Sequence, residues 1–227
     1  MKNAPIFTKV KESIMITLYG ASASPFVRKV MVILAVKNLP YEHIQSMPFS
    51  NDAELKKISP LGKIPVITDG NLTIADSKVI CRYLENAYPE VHVYPTDPAQ
   101  KARAEWFEEY GGTLLAESAA GIFFHRFMRP MMFKQDVDEE AVNNLINNKM
   151  PPILDYLESE LPADGFLFAD FGVADVALAS PFINAGYAGY TIDAERWPNA
   201  AAFVQRITAH STVAPLLVAE AKALGLS

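Results

Sequence analysis

Ile14-Met15-Ile16-Thr17-Leu18-Tyr19, followed after a short loop by Ser24-Pro25-Phe26-Val27-Arg28-Lys29-Val30, is the stretch from which the fold is read. A β-branched apolar run ends in a loop, and Ser24 stands where a helix begins. It serves as N-cap, with Pro25 at the first helical position, where a missing N–H leaves no bond unmade. A hydroxyl is thereby held beside the positive end of a helix dipole. Such a corner suits an anion, because free backbone N–H groups and the dipole both favour negative charge there. Ser22 carries the same hydroxyl two residues earlier and is the alternative to Ser24.

Outward from this stretch, Val27, Val30, Met31 and Leu34 form one stripe of a helix over 25–37, and Tyr41 to Ile44 reads as a short strand, completing a βαβ unit. Ile64 to Thr68 and Leu72 to Ile74 read as two strands joined by a tight turn at Asp69-Gly70-Asn71. Pro65 is awkward inside a strand, because it cannot donate to a ladder and prefers an edge or a bulge. Asp76-Ser77 opens a helix with Ile80, Tyr83 and Leu84 on its apolar face. The first eighty-odd residues thus predict a small mixed sheet with one parallel pair and one hairpin.

Pro89, Pro95 and Pro98 then break a stretch without periodicity, which reads as a linker. Asp97 caps the next helix, with Pro98 at its first position and Ala102, Trp106, Tyr110 and Thr113 or Leu114 at spacings of three and four. Everything beyond reads as helical. Val142, Leu145, Ile146, Met150, Ile153, Leu154, Leu157 and Leu161 form a further stripe, which Pro151-Pro152 is expected to bend or divide. Helices are also expected from Gly172 and over 213–224. The expected organisation is an N-terminal extension over 1–13, an α/β domain over 14–88, a linker over 89–97 and an all-helical domain over 98–227.

With 50% hydrophobic and 20% charged residues among 227, the composition is that of an ordinary globular protein. A net charge of −6 and a pI near 5.3 provide no basic field for a phosphate backbone, so no nucleic-acid partner is expected. The first thirteen residues lack the apolar centre of a secretory signal, and no stretch reaches the roughly eighteen apolar residues of a membrane span. Because the periodic pattern starts at Met15, the preceding residues are read as a loosely ordered extension, or alternatively Met15 as a usable start. The lone cysteine, Cys81, has no disulfide partner and is expected to pack as a small apolar residue, which agrees with a reducing, cytoplasmic location. His43, His92, His125 and His210 show no metal-ligand spacing, so no metal is expected.

The order and spacing of several phrases carry a resemblance: Leu18-Tyr19 through Val30, Ser59-Pro60-Leu61-Gly62-Lys63-Ile64-Pro65-Val66, Ala75-Asp76-Ser77 with Ile80 and Tyr83-Leu84, and Tyr94-Pro95-Thr96-Asp97-Pro98. Together they resemble the soluble glutathione S-transferases over most of the chain. The resemblance implies a thioredoxin-like α/β N-terminal domain that binds glutathione and an all-α C-terminal domain that contributes the electrophile site. It implies a homodimeric, metal-free detoxification enzyme that activates the thiol of glutathione, its co-substrate, for attack on a small apolar electrophile.

The resemblance makes Ser24, or alternatively Ser22, the catalytic hydroxyl, and the Ser-Pro-Phe context is similar to the serine classes, plant tau enzymes especially. Lys63, Ile64, Pro65, Asp76 and Ser77 are the implied glutathione contacts, with a cis bond after Ile64. Tyr110, Thr113 and Glu117 share a helix face and are the expected electrophile pocket, near the aromatic and Met-rich run from Phe123 to Phe133. The chain departs from the pattern twice: no lysine stands in the tau register near Ser50-Asn51-Asp52, and Gly172 replaces the usual Ser or Thr cap, leaving Asp175 to reach back to the Gly172 N–H. A serine at position 24 argues against thiol-disulfide chemistry, which needs a protein thiolate. A glutathione-dependent isomerase or peroxidase using the same thiolate is the near alternative, and a non-catalytic interaction module on the same fold is the alternative from another class.

Overall fold

The computed structural model describes residues 15–48 and 53–226. The expected extension over 1–13 and the Ser50-Asn51-Asp52 register lie outside the described residues. Four strands, β1 (Ile16–Tyr19), β2 (Tyr41–Ile44), β3 (Val66–Asp69) and β4 (Leu72–Ala75), form one sheet in the order β2-β1-β3-β4. β1 runs parallel to β2 with Leu18 opposite His43, and antiparallel to β3 with Leu18 opposite Ile67. β3 turns directly into β4 through Gly70, whose φ of 60° is the left-handed conformation such a turn needs. Both the expected parallel pair and the expected hairpin are present. Pro65, read from the sequence as lying inside a strand, instead stands just before β3, where its missing N–H interrupts no ladder.

Helix α1 (Pro25–Val36) fills the βα crossover, α2 (Ala53–Ile58) leads toward β3, and α3 (Ser77–Ala87) follows β4. The single stripe expected on α1 is too narrow, since every residue from Val27 to Leu34 is buried. This helix packs on α3 and, on another side, on a long helix of the second half, so it has no solvent face. α2 escaped sequence reading because six residues with Leu55 alone buried show no period.

From Pro98 the chain is helical. α4 (Pro98–Tyr110), α5 (Ala116–Phe123) and α6 (Arg129–Phe133) follow one another through wider π-type turns at 111–115 and 124–128. α7 (Glu139–Asn144) and α8 (Met150–Glu160) are separated the same way at 145–149. The division expected at Pro151-Pro152 therefore falls one turn earlier, and the two prolines lie in the first turn of α8, where they leave few bonds unmade. α9 (Val173–Tyr187), α10 (Pro198–Ala209) and α11 (Ala214–Ala223) complete the fold.

α9 is the central post, buried from Val173 to Asn184 and packed against α1, α4, α5 and α10. Its Gly172 cap, a departure at the level of sequence, has a packing cause: a Cβ there would lie 2.6 Å from the Val93 carbonyl oxygen, which accepts from Val173 N at 3.0 Å. Asp175 reaches back as expected, accepting from Gly172 N at 2.9 Å and also from Leu167 N at 2.9 Å. Burial pushes its carboxyl up to about 6 against the pull of those N–H donors.

The stripe expected on α4 is corrected. Ala104, Phe107, Glu108 and Tyr110 are the buried positions, while Trp106 is 48% exposed and Leu114, in the following turn, 46%. A buried carboxylate on the inner face and an indole on the outer one reverse the usual hydropathy signal. Glu108 is buried because Lys29 Nζ of α1 meets it at 2.7 Å and the Tyr94 hydroxyl donates to it at 2.7 Å. Lys37, at the other end of α1, is likewise buried among Glu85 and the carbonyls of Tyr88 and Val91. Buried ammonium groups persist only when paired and hydrogen-bonded in this way.

Candidate functional site

Between the sheet domain and the helices lies a cleft of about 940 Å³. One wall is the loop from Ala21 to the start of α1. Ser24 is the N-cap, with φ −71° and ψ 129°, and Pro25 opens the helix. Its Oγ accepts from Val27 N at 3.5 Å, a long bond that leaves the hydroxyl proton free to donate elsewhere. Capping and donation are therefore compatible at one side chain. Ser22 lines the same cleft, but its Oγ accepts from Gln45 Nε2 at 3.3 Å and it lies ahead of the helix.

The floor is formed by Lys63, Ile64 and Pro65, and the Ile64–Pro65 peptide is cis. Ser59 shapes this turn, donating its hydroxyl to the Lys63 carbonyl at 2.7 Å while Gly62 N donates to the Ser59 carbonyl at 2.8 Å. The Lys63 side chain is left exposed at the rim. Next to it, Asp76 caps α3, and Oδ1 accepts from both Lys78 N at 2.9 Å and Val79 N at 3.2 Å. Asp76 does so at φ 86°, a backbone strain on the order of 1–3 kcal/mol that a non-glycine residue keeps only where the surroundings impose it. Ser77, 6% exposed, lines the cleft as the first residue of that helix. Among the described residues that line the cleft, Lys63 and Asp76 are the only charged ones.

The helical wall differs from expectation. Gly112, Ala116 and Ala120 face the cleft, with Phe123, Phe124 and Met128 beyond them, whereas Tyr110, Thr113 and Glu117 are not among the described lining residues. Tyr110 turns into an aromatic cluster, 6.2 Å from the Trp106 ring and 5.2 Å from Tyr156, and Thr113 and Glu117 are exposed. The wide turn at 111–115 rotates the following residues away from the register that a regular helix would give. A Cβ built on Gly112 would meet nothing nearer than the Phe26 ring at 3.9 Å, so the small stripe leaves the cleft open. Only the aromatic and Met-rich run was legible as a pocket signal; small residues look like any helix surface in sequence.

Asn184 also lines the cleft and carried no signal in the sequence. Burial pushes the Cys81 thiol up to about 12, so this thiol stays protonated at neutral pH and packs as an apolar side chain. His43 bonds to the Gly20 carbonyl, His92 to Glu85 and His210 to Thr212. No group of three or more His, Cys, Asp or Glu spaced for a metal occurs among the described residues. No helix among them is long and apolar enough to cross a membrane.

Residues 18–104 match the family model described as the glutathione S-transferase N-terminal domain, and residues 139–206 match the corresponding C-terminal domain. The chain is 30% identical over 175 residues to glutathione S-transferase GstB of Escherichia coli K12, covering 74% of this chain and 82% of the relative. It is 30% identical over 195 residues to glutathione S-transferase Z2 of Arabidopsis thaliana, covering 83% and 84%. Among solved structures, a glutathione S-transferase from Rhodospirillum rubrum superposes with a TM-score of 0.79 at 24% identity, covering 89% of this chain and 91% of that one. FzlA from C. crescentus superposes with a TM-score of 0.81 at 22% identity, covering 90% and 92%. At these identities the structural likeness speaks for the thioredoxin-like plus helical fold alone.

Proposed function

Because the chain belongs to the glutathione S-transferase family, we propose that it binds glutathione in this cleft, keeps the thiol as thiolate through Ser24, and delivers it to an apolar electrophile held against the helical wall. One observation carries the reading. Ser24, Ile64-Pro65 and Asp76-Ser77, far apart in sequence, line a single cleft whose described charges are one cation and one anion. Glutathione carries two carboxylates and one ammonium, which need complementary partners.

In this reading the γ-glutamyl carboxylate sits on Ser77 and the N-terminus of α3, where free N–H groups and the dipole favour an anion. The γ-glutamyl ammonium meets the second oxygen of Asp76, and Lys63 meets the glycyl carboxylate. The cysteinyl backbone pairs with Ile64 like an added strand. The thiol proton leaves to solvent; the thiolate then forms a carbon–sulfur bond as the electrophile's leaving group departs with its electron pair, or as an activated double bond accepts the pair. No protein nucleophile takes part. The Ser-Pro-Phe corner supports a serine-type, tau-like assignment, and such conjugation serves detoxification. We place the protein in the cytoplasm, where glutathione is kept reduced.

A homodimer completes the proposal. α3 and α4 lie side by side, joined by Lys78–Glu109 at 2.6 Å and Arg82–Glu105 at 3.0 Å, and they present exposed Val79 and Trp106. Light scattering at micromolar concentration is expected to give twice the chain mass; a monomer mass overturns this part.

The function is tested by titrating glutathione calorimetrically while following the absorbance of the bound thiolate. Wild type is expected to bind and to show thiolate at neutral pH. Lys63→Met is expected to weaken binding by about two- to fivefold, with a smaller salt dependence, because an exposed ion pair is worth at most about 1 kcal/mol. Binding without thiolate removes the transferase reading. No binding at all leaves the fold as a non-catalytic interaction module.

A further inference from the structure

α9 passes directly behind the Ser24 loop. Asn184, 1% exposed, donates through Nδ2 to the Ala23 carbonyl at 2.8 Å, and its Oδ1 accepts from Arg28 Nη1 at 2.8 Å. A guanidinium only donates and a carbonyl only accepts, so these two neighbours admit one orientation of the Asn184 amide. Arg28 is itself fixed. Nη1 also donates to the Ser180 carbonyl at 2.9 Å, and Nε and Nη2 grip the Glu220 carboxylate of α11 at 2.9 Å and 2.5 Å. The Tyr187 hydroxyl adds a bond to Glu220 at 3.0 Å, and Arg28 and Glu220 are both fully buried.

The chain Glu220, Arg28, Asn184 thus crosses α11, α1 and α9 and ends on the peptide that precedes Ser24. The nitrogen of that same peptide, Ser24 N, donates to the Ala21 carbonyl at 2.9 Å. The Ala23–Ser24 peptide plane is therefore held at both its oxygen and its nitrogen. Turning this plane changes φ of Ser24 and swings its Cβ and Oγ, and a hydroxyl bond weakens steeply once its angle is lost.

We propose that Asn184 is a positioning residue for Ser24: oriented by Arg28 and Glu220, it holds the Ala23–Ser24 peptide so that the Ser24 hydroxyl points at the sulfur of bound glutathione. This rests on the proposed role of Ser24. Asn184 acts through the backbone and needs no contact with the reacting atoms. It gives the C-terminal helix a part in setting the thiolate, because Glu220 orients Arg28.

The test uses Asn184→Asp and Asn184→Ala. The aspartate keeps the shape and pairs with Arg28 but has no donor for the Ala23 carbonyl; the alanine removes the donor without adding charge. Both are expected to raise the pKa of the bound thiol by about one, so that thiolate and kcat fall about threefold at neutral pH and about tenfold well below the wild-type thiol pKa. The KM for glutathione is expected to stay within about twofold, and the rate to recover at alkaline pH. If one variant fails to fold, the other carries the same test. Ser24→Ala alone separates the two proposals. If it leaves the thiol pKa unchanged, the Ser24 reading fails; if it raises the pKa while the Asn184 variants do not, the positioning role fails. In a Ser24→Ala background the Asn184 substitutions are expected to add nothing to the thiol pKa, and a further shift there overturns action through Ser24.

Discussion

Ser24→Ala is expected to keep glutathione in the cleft and to lose its thiolate. A free thiol titrates near pH 8.5, and bringing it down by about two units requires roughly 2.7 kcal/mol of preferential stabilisation of the anion. A hydroxyl donating to an anion supplies about 1.5–3 kcal/mol, and a helix N-terminus about 0.3–1 kcal/mol more. Removing the hydroxyl leaves only the dipole, so the bound thiol should titrate at about pH 8 and the rate at neutral pH should fall about 5- to 15-fold. The sign of the pH dependence follows. In wild type the thiolate is present from about pH 6.5 upward; in the variant it forms only as pH approaches the free-thiol value, so the deficit is greatest between the two and vanishes above them. Glutathione affinity should change little, since the carboxylates and ammonium bind elsewhere. Folding should also survive, because the 3.5 Å cap bond is long and α1 is pinned by burial. Stopped-flow absorbance of the bound thiolate across pH reads the effect, with Ser22→Ala alongside. A collapse in the Ser22 variant and none in the Ser24 variant would transfer the role.

What sequence reading found here and what it missed follow from how local each signal is. The Ser24-Pro25 cap, the turn at Gly70 and the Asp97-Pro98 helix start are decided within a few residues, so they read correctly. The α4 face did not, because its buried side carries Glu108 and its exposed side Trp106. The sense of that hydropathy is set by Lys29 on a different helix, which no window along the chain contains. The helical wall of the cleft was missed for a similar reason. Tyr110, Thr113 and Glu117 looked like site residues by type, while Gly112, Ala116 and Ala120 are recognisable only once Phe26 and Ser24 stand opposite them. Gly172 looked like a weakened cap until Val93 was found to occupy the space of a Cβ. One signal was present and unused: Arg28 and Lys29 sit inside the apolar run from Val27 to Leu34, and two adjacent charges in such a run announce buried partners elsewhere.

Glu108→Ala is expected to produce the largest loss of stability among these variants, about 3–5 kcal/mol. The Lys29 side chain is 4% exposed and Glu108 fully enclosed, so deleting the carboxylate strands an ammonium that water cannot reach and leaves the Tyr94 hydroxyl without its acceptor. At roughly 2–4 °C per kcal/mol for a chain of this size, the melting temperature should drop by about 10 °C. The stranded charge, rather than lost attraction, is the reason. Lys29→Met combined with Glu108→Leu removes both charges and fills the space, so the double variant should recover most of the loss, whereas two independent losses would add. Urea titrations of the three proteins decide between these outcomes, and a single variant within about 1 kcal/mol of wild type would mean that the pair is solvated. The pair has a bearing on the site as well as on stability. α1 has Ser24 as its N-cap and is fixed by Lys29 to α4, by its C-cap Lys37 to Glu85 of α3 and by Arg28 to α11, so three ion-paired side chains along this helix and its cap hold the hydroxyl in place between the two halves of the cleft.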